Sequence, residues 1–131
     1  MQTILNNLYI GATLASIFLL IPAFGTTLTI EKELRARGIQ IEKYNTTCPF
    51  VEKVWNRSAA IASKDYTIII HGKPTHEETR ATFSHASREA PSVVLKNIDE
   101  AIALSGYIKG EKNPADFYNE FQNQYSENFN V

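Results

Sequence analysis

Cysteine occurs once in the 131 residues, at Cys48, which excludes an internal disulfide framework and fits a reducing compartment. An excess of charge of one sign is also missing. The 13 basic residues face 14 acidic ones without forming a block, so the electrostatic footprint of a nucleic-acid binder is absent. Nor is there an uninterrupted run of membrane-spanning length. The most apolar segment, Leu8–Phe24 ("LYIGATLASIFLLIPAF"), has no Lys or Arg ahead of it and falls short of the roughly 20 residues a span needs. Pro22 and Gly25 interrupt its end. A buried strand over "IFLLI" (17–21) is the preferred reading over a targeting segment, and the sequons at Asn45 and Asn56 are read as chance matches. Residues 1–16 show no periodicity that places them.

What is present is an ordinary globular balance, 44% apolar and 21% charged, enough for one compact domain. After Gly25 the pattern alternates between the two regular periods. "TTLTIEKELRARG" reads as a helix with a threonine cap and a terminal glycine at Gly38. "IQIEKY" (39–44) alternates as a short strand, and Phe50–Ser63 reads as a helix with Pro49 in its first turn. "YTIIIHG" is β-branched and short, so a strand buried on both faces is expected. "THEETRATFSHAS" opens a helix with Thr75 as N-cap and Glu78 completing a capping box. "SVVLK" is a further strand, Asn97 caps a helix stopped by Gly110, and "NPADFYNEFQNQY" is a last helix. "SENFNV" trails off with no cap or strand signal. This order predicts an α/β fold: one three-layer α/β/α unit around a mostly parallel four-stranded sheet.

In such a unit the strand-to-helix loops emerge at one edge of the sheet, where ligands bind. Three polar loops then meet: "PAFGTT" (22–27), "NTTCP" (45–49) and "HGKPTHEE" (71–78). Each residue in them admits more than one role. Cys48 at a helix start is a structural thiol, a metal ligand, or a nucleophile favoured by the helix dipole. Glu78 either caps its helix or, with His76 two residues before it, relays a proton near a bound anion. His71 closes a strand and reads as structural, while His85, mid-helix, is expected to be exposed. Trp55 reads as core. Gly25, Thr26 and the neighbouring threonines either cradle an anion with backbone N–H groups and hydroxyls or simply cap helices.

The strings TTCPFVEKVW and HGKPTHEETRAT, with "APSVVLKNIDEA" and "FYNEFQNQYSENFN", closely resemble the LytB family, 4-hydroxy-3-methylbut-2-enyl diphosphate reductase, in its plant and cyanobacterial branch. The likeness runs over about residues 17–131, read as a single α/β unit of a kind the family uses three times, and leaves 1–16 as an atypical N-terminal segment. It implies an iron–sulfur oxidoreductase of the non-mevalonate isoprenoid pathway. Such an enzyme removes the hydroxyl of an allylic diphosphate substrate to give isopentenyl and dimethylallyl diphosphates. The implied cofactor is a 4Fe-4S cluster on three cysteines, the middle one matched by Cys48. By the same resemblance His76 contacts the substrate diphosphate, Glu78 feeds protons to the leaving hydroxyl, and Gly25 and Thr26 face phosphate through their backbone. Phe24 stands where many relatives carry another diphosphate histidine.

The resemblance further implies an electron donor such as ferredoxin or flavodoxin, no nucleic-acid or membrane partner, and a cytoplasmic location, or the plastid stroma in a plant or alga. The other two cluster cysteines are absent, so the chain matches a central fragment. It is expected to be inactive alone and unable to hold the cluster by itself.

Overall fold

The structure is a computed structural model that describes residues 19–62 and 64–131. Segment 1–16, the first two residues of the expected strand 17–21, and Ser63 lie outside the described residues.

Thr27 opens the first helix, α1 (Leu28–Ala36), its hydroxyl accepting from the Ile30 N–H at 3.5 Å. The helix ends ahead of Gly38, which takes φ +76°, and Arg37 reaches back to Glu33 at 2.6 Å. The expected strand 39–44 is instead a 3-10 turn, Ile41–Lys43. Ile41 is buried as the alternation requires, but a turn satisfies two apolar residues spaced two apart as well as a strand does. Next to it, strand-like pairing among the described residues is one parallel bridge, Ile21 with Asn45. The Ile21 N–H donates to the Tyr44 carbonyl at 2.9 Å, and the Thr46 N–H returns to the Ile21 carbonyl at 3.2 Å.

Proline is tolerated at the head of a helix because its missing N–H would be unpaired there anyway. Accordingly α2 runs Pro49–Ala62 with Pro49 first. The carbonyl of Cys48 accepts from the N–H groups of Val51 (2.9 Å) and Glu52 (3.1 Å).

Strands β1 (Ile68–His71) and β2 (Ser92–Leu95) pair in parallel, Ile69 opposite Val93, with α3 (Glu77–Glu89) as the crossover. Opposed residues share a face. Val93 and Leu95 meet Leu104 and Tyr107 of α4 (Ile98–Ile108), Phe117 of α5 (Pro114–Glu120), and Phe121 and Phe129 beyond it. The other face of both strands packs on α3, which also packs on α2.

β2 is therefore buried throughout, whereas β1 is not, contrary to its β-branched sequence. Ile69 is 55% exposed because α4 lies over β2 rather than over β1. Among the described residues the sheet has two strands, not four. The α/β class and the parallel pairing stand.

The C-terminal stretch does not trail off. The Val94 N–H donates to Gln124 O at 2.6 Å and the Ser126 N–H to Ser92 O at 2.9 Å, so 124–126 runs antiparallel along the free edge of β2. Backbone pairing carries no side-chain signature, which is why the composition of this stretch did not announce it. The last helix is correspondingly shorter than its pattern. It stops at Glu120, and Asn123, at φ +63°, turns the chain back onto β2. Asn97 caps α4 as expected, accepting from the Glu100 N–H at 3.0 Å.

Candidate functional site

The first two rim loops are tied by their backbones. The Cys48 N–H donates to Ala23 O at 2.8 Å, and the Thr46 hydroxyl donates to the Ile21 carbonyl. Thr47 is buried, with its N–H and hydroxyl both on Asn45 Oδ1 at 3.0 and 2.5 Å. Cys48 is thus held, half-buried, immediately ahead of α2. Among the described residues no hydrogen bond reaches its sulfur or the rings of His71 and His76.

Gly25 sits at φ +77°, and its N–H closes a turn on Pro22 O at 2.8 Å. This corrects the expectation that both Gly25 and Thr26 present free N–H groups to phosphate. The Gly25 donor is spent in the turn, whereas the Thr26 N–H has no acceptor among the described residues.

The third loop leaves β1 through Gly72, whose N–H donates to Leu95 O at 3.0 Å. A β-carbon on Gly72 would lie 2.5 Å from Thr79 Oγ1, so only glycine lets α3 pack this close. The Lys73 carbonyl accepts from the His76 N–H at 2.9 Å, and His76, not Thr75, is the residue before the helix. No side chain caps α3, so the expected capping box is not formed. The turn at Pro74 delays the helix start by one residue. Glu78 is consequently an exposed carboxylate with no structural bond to explain it.

An open depression of 460 Å³ lies between α2, β1 and α3. Phe50, Val51 and Val54 form one wall, Ile70 and His71 lie on the β1 side, and Glu78 stands on the α3 side. Glu78 thus faces a wall that begins two residues after Cys48. His76 lies exposed in the turn beside the depression and does not line it, and neither do Gly25 and Thr26. The rim is therefore brought together in two parts, a Cys48–Ala23 part and a Glu78–His71 part joined by the start of α2.

One residue was misjudged from sequence. The His85 side chain is only 12% exposed and lies flat on Trp55, ring centroids 3.7 Å apart and 7° from parallel. Burial pulls its pKa below the usual histidine value, against the opposing pull of Glu31. The signal was its spacing: His85 follows Thr82 by one turn and adjoins buried Ala81 and Ala86 on α3.

The family model described as LytB protein matches residues 2–119 of this chain. The chain belongs to the LytB family. The match takes in much of segment 1–16, ahead of the motifs. The chain is 43% identical over 110 residues to the 4-hydroxy-3-methylbut-2-enyl diphosphate reductase of Crocosphaera subtropica. It is 44% identical over 110 residues to the protein of that description from Picosynechococcus sp.. Each alignment covers 84% of this chain and 26% of the relative, so the chain spans about a quarter of the length of the curated relatives it matches. Both relatives are cyanobacterial, the branch to which the motifs pointed.

A solved structure of (E)-4-hydroxy-3-methyl-but-2-enyl diphosphate reductase, described as the terminal enzyme of the non-mevalonate pathway, superposes with a TM-score of 0.58 at 18% identity. The superposition covers 76% of this chain and 38% of that one, which establishes a shared α/β fold. Among the described residues no helix is long and apolar enough to cross a membrane. No group of three or more His, Cys, Asp or Glu side chains comes together among them to hold a metal.

Proposed function

We propose that this chain is part of an iron–sulfur reductase acting on an allylic diphosphate in isoprenoid biosynthesis, and that its share of the work is substrate binding and proton supply. The observation that carries the reading is Glu78: a carboxylate freed from any capping bond, facing a depression whose opposite wall starts beside Cys48. In this reading Glu78 holds the proton delivered to the departing hydroxyl. His76 donates to the diphosphate from the turn before α3, and the Thr26 N–H adds a backbone donor from the neighbouring loop. Phe50, Val51 and Val54 offer an apolar wall to the hydrocarbon part of the substrate.

Cys48 is assigned as one of three thiolate ligands to a 4Fe-4S cluster, which supplies electrons in the whole protein from a ferredoxin- or flavodoxin-type donor in the cytoplasm or a plastid stroma. The residues present do not fit that cluster by themselves. The chain has one cysteine, and a cubane held by one protein thiolate is not stable. The chain alone is accordingly assigned no reductase activity.

That mismatch favours a second reading, an α/β module that binds phosphate without redox chemistry. Sequencing the flanking DNA separates the two. Two further cysteines in similar α/β units support the reductase, and their absence sinks it. The binding role is tested directly by calorimetric titration with inorganic pyrophosphate. The wild-type chain should bind, and His76→Ala should weaken binding by about tenfold, the scale of one charge-assisted hydrogen bond. A wild-type chain that takes up no pyrophosphate rules out the diphosphate role for these residues.

A further inference from the structure

His85 lies on α3 away from the depression, yet its ring reaches three other elements. It stacks on Trp55 of α2, its Nε2 is 3.2 Å from the Thr26 carbonyl, and Glu31 Oε1 of α1 lies 3.5 Å from the same nitrogen. A carbonyl only accepts, so Nε2 carries the hydrogen and donates it. Two neighbours of His85 on α3 assist. Thr82 Oγ1 accepts from the Trp55 indole N–H at 3.3 Å, and Ser84 Oγ accepts from the Leu28 N–H at 3.0 Å. The loop backbone is thereby held at three points along four residues: Gly25 against the indole, the Thr26 carbonyl on His85, and the Leu28 amide on Ser84.

We propose that His85 is a positioning residue for the rim. Through Trp55 and the Thr26 carbonyl it holds the Pro22–Thr27 loop in the conformation that leaves the Thr26 N–H available to an anionic substrate group. The inference rests on the diphosphate reading of the rim and adds to it a residue that touches no substrate. A loop left to itself would have to be ordered by the ligand at the ligand's expense, whereas one held in advance binds without that cost.

The test compares two variants of the full chain. His85→Phe keeps a flat ring against Trp55 and removes the donor, while His85→Gln keeps a donor near the position of Nε2. In His85→Phe the Gly25 and Leu28 amides, bonded to Pro22 O and Ser84 Oγ, should exchange with deuterium about tenfold faster, the scale of one lost hydrogen bond, while Val93 and Leu104 stay at wild-type rates. Pyrophosphate affinity should fall by a similar factor, and His85→Gln should recover both to within about threefold. Unchanged loop exchange in His85→Phe overturns the proposal, and so does acceleration that spreads equally to Val93 and Leu104. Equal pyrophosphate affinity in wild type and His85→Phe also overturns it. A wild-type chain that binds no pyrophosphate overturns instead the diphosphate reading beneath it.

Discussion

Gly25 and Trp55 are packed so closely that a β-carbon on the glycine would lie 2.2 Å from the indole Cη2. The same glycine is at φ +77°, where any other L-residue is strained. Gly25→Ala therefore meets two penalties at once, backbone strain and overpacking. Urea denaturation should show a loss of about 2–5 kcal/mol, summing the two effects. Trp55 is the only tryptophan, so its emission should shift as the indole is displaced. A loss within about 0.5 kcal/mol would mean that the loop does not rest on the indole.

His85 makes stability depend on pH. Its folded pKa is lowered chiefly by burial, with Arg88 adding to that and Glu31 opposing it; Glu52 lines the same hollow. The folded state then binds the proton less well than the unfolded chain does. The stabilisation is complete above the ordinary value of about 6.5 and is lost as pH falls from there toward the lower folded value. The urea midpoint should drop between about pH 7.5 and 5.5, and His85→Phe should flatten that part of the slope. An identical slope in both proteins would place the titration elsewhere.

Glu78 and Asn97 offer a contrast that separates a capping residue from a free one. Asn97→Ala removes the bond to the Glu100 N–H and should cost about 1 kcal/mol. Glu78→Ala removes no bond and should change stability by less than about 0.5 kcal/mol. A loss of about 1 kcal/mol for Glu78→Ala would restore the capping box and take away the argument for a free carboxylate.

The C-terminal residues are part of the core. Phe129 is 4% exposed against Phe117, ring centroids 5.4 Å apart. Phe129→Ala should cost about 3–5 kcal/mol in urea denaturation. Loss of the ring should also speed exchange of the Val94 amide, which the tail carbonyl of Gln124 protects. A near-neutral Phe129→Ala would leave the tail as decoration.

The local punctuation of the fold was legible. Thr27, Pro49, Asn97 and Gly110 mark element ends because caps, a missing N–H and positive φ are properties of single residues. The tail along β2 and the turn at Ile41 were not, because backbone pairing and its absence leave no residue pattern. Within the candidate site, the motifs around Cys48 and Glu78 were readable as strings, while the spent donor of Gly25 and the uncapped start of α3 were not.

By itself the sequence determined the α/β alternation, the polar loops after the strands, the single thiol and the family, since all of these follow from residue type and order. Tertiary structure alone decided which donors remain free and which are used up, and that β1 stays half-open while β2 is enclosed. It also brought His85 from α3 and Trp55 from α2 into one stack beneath the rim loop. The reason is physical: a hydrogen bond or a stack belongs to a pair of groups, and the distance within a pair far apart in the chain is set only when the helices pack.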